Sequence, residues 1–260
     1  MKFCANLFFM FPKESTMAER YALAKEVGFK AVESRFPMGH TVSEVKQIKE
    51  NSGLQLVMLN LKTGDVSKGE LGVTAIPGKE SVFKDILRET IEYATALDAQ
   101  IVHIMAGQVV SKSLENWNTY EKNLRYAAAE LGKYNLMGVI EPVCQYAWPK
   151  YYLNDFFKAV EIIKKINSPN LKLLLDIFHL QHIHGDLYHN IKLFMPYVGH
   201  VQIAQVPNRH EPDTPGEINY QYVLKLLQDF GYKGWVGLEY IPKGDLKEGL
   251  KWIKNYGYSL

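Results

Sequence analysis

The sequence predicts a closed (β/α)₈ TIM barrel that spans residues 1–260 as one domain. Short runs of strand-forming apolar residues alternate strictly with amphipathic segments, at about 30 residues per pair, which is typical of a parallel sheet. Eight such pairs follow one another, the number that a closed barrel needs. The connections that precede strands are short, whereas several that follow strands are long and irregular, and a barrel carries its chemistry in the loops after its strands.

The first four units are defined by helix caps and glycine stops. Strands are predicted at residues 2–6, 31–33, 54–61 and 101–105, and helices at residues 16–27, 42–52, 80–97 and 117–134. Thr16 or Ser15 is a suitable N-cap for the first helix, and Gly28 and Gly53 end the first two. Residues 2–11 resemble a short signal peptide, but the run contains Asn6 and meets Pro12 and a charged pair, so a first strand is the better interpretation.

The last four units continue the alternation without a linker or a change of composition. Strands are predicted at residues 137–141, 171–176, 198–203 and 235–239. Helices are predicted at residues 154–166, somewhere within 184–195, at 220–230 and at 246–256. The three long loops that follow strands are residues 62–79, 142–153 and 204–219, which predicts one active face.

Composition excludes several classes of protein. Thirty basic and 28 acidic residues leave a formal charge of +2 without a long run of either sign, which argues against a nucleic-acid partner. No segment approaches the ~20 apolar residues that a membrane span needs. Two cysteines, Cys4 and Cys144, cannot form a disulfide framework, so a reducing cytoplasm is the expected location. A small molecule is the expected partner, and a homo-oligomer is compatible with the sequence.

Oxygen-bearing side chains stand at the downstream ends of the last four predicted strands. They are Glu141, Asp176, Gln202 and Glu239. Asp176 follows a run of leucines, where an ionised carboxylate is costly unless a positive charge meets it. Three carboxylates and one amide suit a hard divalent cation such as Mg²⁺ or Mn²⁺, whereas zinc ordinarily takes more nitrogen or sulfur. The alternative is that each acid only faces water or caps the next helix.

Other residues on the same face are candidates for substrate binding. His179 lies three residues after Asp176, and a plain loop histidine is its alternative. His103 alternates with apolar residues in the fourth strand, where a hydrogen-bonded core histidine is equally expected. Arg209 follows Gln202 in a long loop and suits a substrate carboxylate, although a surface ion pair would also explain it. The glycine-spaced loop at residues 62–72 is of a type that closes over a substrate, or it is simply mobile.

Seven short segments, in this order and spacing, resemble the hydroxypyruvate isomerase family over nearly the whole chain. They are Phe3-Cys-Ala-Asn-Leu, Pro77-Gly78, Ile140-Glu-Pro, Asp176-Ile-Phe-His179, Gly199-His-Val-Gln-Ile-Ala204, Gly216-Glu-Ile-Asn-Tyr220 and Gly237-Leu-Glu-Tyr240. The resemblance implies a xylose-isomerase-like barrel, a metal held by the four strand-end residues, and proton transfer by Glu141 and Glu239. Sugar epimerases and abasic-site endonucleases of the wider superfamily usually have histidine where Gln202 stands, and Cys144 stands where the family commonly has asparagine.

The resemblance implies interconversion of hydroxypyruvate and 2-hydroxy-3-oxopropanoate by metal-assisted proton transfer through an enediolate. Isomerisation or epimerisation of a larger sugar acid, such as a 2-oxo-tetronate, is the nearest alternative. A metal-dependent phosphodiesterase would require a histidine-rich zinc cluster and a basic groove, and neither is evident. A barrel that binds a metabolite without turning it over is disfavoured only by the two glutamates.

Overall fold

The computed structural model describes residues 1–64 and 69–260. Its eight strands form a closed barrel in which each strand is parallel to the next and the last pairs with the first. The strands are β1 Lys2–Asn6, β2 Ala31–Ser34, β3 Gln55–Asn60, β4 Ile101–His103, β5 Met137–Ile140, β6 Leu171–Asp176, β7 Val198–Ile203 and β8 Trp235–Leu238. The predicted TIM barrel is therefore confirmed.

Helices surround the barrel, and their ends follow local capping chemistry. They are α1 Met17–Glu26, α2 Val42–Ser52, α3 Glu80–Ala96, α4 Leu114–Gly132, α5 Phe156–Ile166, α6 Ile177–Ile183, α7 Leu187–Phe194, α8 Tyr220–Asp229, α9 Leu246–Gly249 and α10 Lys251–Asn255. Thr41 and Glu44 form a capping box at the start of α2, and Gly53 ends it at φ 70°. Of the helices in the described ranges, none is long and apolar enough to cross a membrane.

Two predictions about helices were incomplete. One helix was expected within residues 184–195, but the chain forms α6 directly after β6 and then α7. The carboxylate of Asp176 caps α6 by accepting the backbone N–H of Phe178 at 2.8 Å. Because α6 buries most of its first turn, it lacks the amphipathic period by which surface helices are recognised. The last predicted helix is divided into α9 and α10, with the break at Gly249 and Leu250.

Strand alternation decides which side chains enter the barrel. In β6, Leu173 and Leu175 belong to the large core between the barrel and the helices, whereas Leu174 belongs to a separate small cluster. Asp176 has the same parity as Leu174 and is fully buried. The polar ends of the strands are therefore inside the barrel, at the face that carries the long loops.

Candidate active site

Side chains from β5 to β8 meet at the carboxyl ends of the strands. Glu141 comes directly after β5, Asp176 ends β6, Gln202 lies in β7 and Glu239 comes directly after β8. Asp176 is the register partner of Gln202, which in turn is level with Gly237 in β8. The structure thus brings these four predicted residues to one arc of the barrel mouth, because parallel strands all end at the same edge.

Arg209 links two of the carboxylates. Its Nη2 lies 3.3 Å from Oδ2 of Asp176 and in contact with Oε2 of Glu239, and its Nε donates to the backbone carbonyl of Glu239 at 3.2 Å. The guanidinium lies between the rings of Phe9 and Phe178, at 4.6 and 4.7 Å from their centroids. Arg209 therefore satisfies the requirement for a positive partner that Asp176 posed in the sequence.

One arginine does not neutralise this cluster. Burial, followed by repulsion from Glu239 and Asp176, raises the pKa of Glu141 well above its ordinary value. Burial also raises the pKa of Glu239 to about 8, against the opposing effect of Arg209. The pKa of Asp176 is raised in the same way, by burial and in spite of Arg209. The site holds excess negative charge that a divalent cation would stabilise.

Two oxygen atoms in this cluster have no hydrogen-bond partner among the described residues. They are Oε1 of Glu141 and Oε1 of Gln202, both buried. Buried polar atoms are rarely left unpaired, and an ion is one explanation for such atoms. The donor set is dominated by oxygen, which fits a hard divalent cation. The residues present therefore fit a divalent metal ion, and candidate ligand atoms of Glu141, Asp176 and His179 lie within 4.8 Å of one another.

His179 lies in α6 and is buried, so its description as a loop histidine was wrong. Its Nδ1 accepts the backbone N–H of Cys144 at 3.2 Å. Nδ1 therefore carries a lone pair, and in a neutral ring the proton belongs to Nε2. Nε2 lies 3.7 Å from Oε1 of Glu141 and 3.5 Å from Oδ2 of Asp176. Burial lowers the pKa of His179 well below its ordinary value, so this neutral imidazole presents an N–H to the site.

His103 ends β4 and faces the same cavity. Its Nε2 lies 3.5 Å from Oε2 of Glu141, yet within the described ranges it has no hydrogen-bond partner. Burial lowers the pKa of His103 to about 3, so the ring is neutral at physiological pH. A buried neutral imidazole with a free nitrogen can exchange a hydrogen bond with a bound ligand.

A second polar group, which the sequence reasoning missed as a site, lies directly beneath these residues. Oε1 of Glu33 accepts from the amide groups of Asn6 at 2.8 Å and Gln202 at 2.6 Å, while Oε2 accepts from Nε2 of His200 at 2.6 Å. Burial alone would raise the pKa of Glu33, but the hydrogen bonds and charge interaction with His200, and those from Gln202 and Asn6, hold it below its ordinary value. The available signal was that Glu33 ends the second predicted strand as Glu239 ends the eighth.

A cavity of about 1340 Å³ opens over the site. Glu141, His179, Arg209 and Glu239 line its floor, and both described ends of the loop at residues 62–72 line its wall. The predicted closing segment includes residues 65–68, which lie outside the described residues. A buried floor under an open cavity is the arrangement expected for a small-molecule site.

The family model for the Xylose isomerase-like TIM barrel matches residues 21–256. The chain belongs to this family. A Drosophila melanogaster protein named "Putative hydroxypyruvate isomerase" is 42% identical over 264 residues, covering 100% of this chain and 99% of the relative. The 2-oxo-tetronate isomerase of Haemophilus influenzae is 39% identical, with 98% and 99% covered. The hydroxypyruvate isomerase of Escherichia coli is 35% identical, with the same coverage.

A solved structure is similar at the level of the backbone and the sequence. The crystal structure titled "AP endonuclease, family 2" from Brucella melitensis superposes with a TM-score of 0.93, at 38% identity and 98% coverage of both chains. Its title differs in activity from the isomerases to which this chain is similar. The backbone alone therefore does not separate these chemistries, since one fold supports many activities.

Proposed function

We propose that this protein interconverts hydroxypyruvate and 2-hydroxy-3-oxopropanoate through an enediolate. The observation that carries the proposal is the pair Glu141 and Glu239, two buried carboxylates that border the same cavity from β5 and β8. The names of the Drosophila and Escherichia coli relatives support the substrate. We also propose that residues 1–260 act as one domain, in keeping with a barrel that begins at Lys2 and closes at β8.

The two glutamates would move one proton between neighbouring carbons. One removes a proton from C3 of hydroxypyruvate, and the same or the other glutamate delivers a proton to C2. A general base works best when its pKa is near the working pH. Burial makes both carboxylates more basic than an exposed glutamate, which suits this role.

We propose that Glu141, Asp176, Gln202 and Glu239 hold a divalent ion, Mg²⁺ or Mn²⁺. Such an ion would stabilise negative charge that develops on substrate oxygens. Arg209 and the Nε2–H of His179 would donate hydrogen bonds to substrate oxygens, and His103 would exchange one through its free Nε2. The aromatic rings of Phe9 and Phe178 exclude water from both sides of Arg209 and hold its guanidinium in one plane.

A second candidate is isomerisation of a four-carbon 2-oxo-tetronate by the same residues. Two observations favour it: the Haemophilus influenzae relative carries that name, and a cavity of about 1340 Å³ has room for more than a three-carbon acid. The chemistry of the floor is the same for both acids. The length of the substrate is therefore decided by the wall of the cavity.

The test is an assay of the metal-stripped protein before and after addition of Mg²⁺ or Mn²⁺. Hydroxypyruvate, a 2-oxo-tetronate and an oligonucleotide with an abasic site are the three substrates. Metal-dependent turnover that prefers hydroxypyruvate would support the proposal. Preference for the longer acid would replace the substrate but keep the site, and cleavage of the oligonucleotide without isomerisation would overturn the proposed function.

A further inference from the structure

Most cations that line the cavity are already paired. Arg209 contacts Asp176 and Glu239, and Nζ of Lys62 lies 2.7 Å from Oε1 of Glu89. The guanidinium of Arg20 donates to four backbone carbonyls, those of Leu7, Pro12, Lys13 and Ser15. These side chains hold the protein together and are not free to bind an anionic ligand.

Arg35 is different. It follows β2, and its guanidinium lies 3.2 Å from the centroid of the Phe8 ring. Its side chain donates no hydrogen bond and joins no ion pair with any residue in the ranges 1–64 and 69–260. Burial, helped by Arg209 and Arg20, lowers the pKa of Arg35 to about 10, although Glu239 opposes this. Arg35 is thus a half-buried cation at neutral pH without an anion to balance it, which is a costly state.

The position of Arg35 is tied to the catalytic floor. Asn6 accepts the backbone N–H groups of Phe8 at 3.0 Å and Phe9 at 3.1 Å, which shapes the turn after β1. The amide nitrogen of the same Asn6 donates to Oε1 of Glu239 at 3.2 Å. The aromatic surface that supports Arg35 therefore begins at a residue that contacts Glu239 directly.

We propose that Arg35 binds the carboxylate of the substrate, a small 2-oxo or 2-hydroxy acid, at the wall of the cavity beside Glu239. The inference rests on the proposed function and deepens it. A guanidinium held flat against a ring presents its planar fork to a carboxylate, with two parallel hydrogen bonds. Arg209 is neutralised by Asp176 and Glu239 and is left to contact a substrate hydroxyl or carbonyl oxygen.

The test compares Arg35→Met and Arg35→Lys with the wild type, all loaded with Mg²⁺. Calorimetric titration with D-glycerate, an unreactive analogue that keeps the carboxylate, measures binding without turnover. A charge-assisted hydrogen bond contributes about 1.5–3 kcal/mol, so Arg35→Met should weaken D-glycerate binding about 10- to 150-fold. KM for hydroxypyruvate should rise by a similar factor with kcat nearly unchanged, and Arg35→Lys should recover part of the affinity.

The matched control is Lys79→Met, which removes an exposed positive charge at the rim of the same cavity. Its D-glycerate affinity should stay within about twofold of the wild type, because the long-range charge effect of an exposed group is screened by salt. Equal affinity in Arg35→Met and wild type, or equal losses in Arg35→Met and Lys79→Met, would overturn the inference.

Failure of the inference can be told apart from failure of the proposed function. Titration with the four-carbon acid erythronate tests Arg35 even if the wild type does not turn over hydroxypyruvate. Loss of erythronate binding in Arg35→Met would then support the carboxylate site while the substrate is revised. A wild type that binds neither acid would overturn the carboxylate site as well.

Discussion

Gln202 donates its amide Nε2–H to Oε1 of Glu33 across 2.6 Å, between two fully enclosed side chains of the barrel interior. A carboxylate only accepts hydrogen bonds when ionised, so this contact fixes which end of the amide faces Glu33. Oε1 of Gln202 is consequently turned away, and it has no hydrogen-bond partner in the described part of the chain. Glu33 orients Gln202 so that an oxygen atom is available to the proposed metal.

We predict that Gly237→Ala disturbs this orientation. A Cβ at residue 237 would lie 2.3 Å from Oε2 of Glu33, so the carboxylate would have to move. Overpacking of this kind costs about 1–3 kcal/mol of unfolding free energy. Urea unfolding measures that loss, and calorimetry should show weaker Mn²⁺ binding. Gly244→Ala is the control, because no atom lies within 4 Å of its added Cβ. Equal stability and Mn²⁺ affinity in both variants would refute the role of Glu33.

Glu239→Gln and Glu141→Gln should each reduce kcat for the isomerisation by about 10²- to 10⁴-fold, the usual contribution of general acid-base catalysis. The amide keeps the volume of the side chain but cannot accept the proton from carbon. Circular dichroism should show an intact fold. Glu217→Gln changes an exposed glutamate that accepts from Gln181 at 3.2 Å, and it should retain nearly full activity. Retained turnover in Glu239→Gln would remove that residue from proton transfer.

His179→Gln should reduce kcat/KM by about 10- to 150-fold, since a hydrogen bond to a charged group contributes about 1.5–3 kcal/mol. The Nε2–H that faces Glu141 and Asp176 is held by the contact of Nδ1 with the backbone of Cys144, and glutamine cannot reproduce both ends. Steady-state kinetics measures the effect. His189→Gln, an exposed histidine beside Asp186, is the control and should behave as wild type. Similar activity in the two variants would count against a role for His179.

The metal-free protein should lose thermal stability as pH rises from about 5 to 8. Burial raises the pKa values of Glu141 and Asp176 in the folded state, and that of Glu239 to about 8. The folded state then binds more protons than the unfolded state, so stability falls as pH increases through this window. Glu33 acts in the opposite direction, but its lowered pKa places that effect at more acidic pH.

Differential scanning calorimetry in a chelator measures this dependence. Saturating Mn²⁺ should flatten it, because a cation favours the ionised carboxylates. Glu239→Gln should reduce the slope in the chelator, since one of the raised groups is gone. A midpoint that rises with pH in the chelator, or equal slopes in Glu239→Gln and wild type, would contradict the prediction.

The sequence by itself determined the barrel and the identity of its polar strand ends. The bounds of β1, β6, β7 and α2 match the prediction to the residue. Their patterns are local: apolar runs, caps such as Thr41 and stops such as Gly53 act over a few residues. Glu141, Asp176, Gln202 and Glu239 could be assigned to one face because every parallel strand ends at the same edge of the barrel.

Only the tertiary structure decided which polar groups meet. Glu33 and Gln202 are 169 residues apart in sequence, and their contact depends on how the strands are staggered across the closed barrel. A period of two residues tells which side of a strand faces inward, but it carries no information about the partner on another strand. For the same reason the pairing of Arg209 with two carboxylates, and the unpaired state of Arg35 among the described residues, became visible only once the chain was closed.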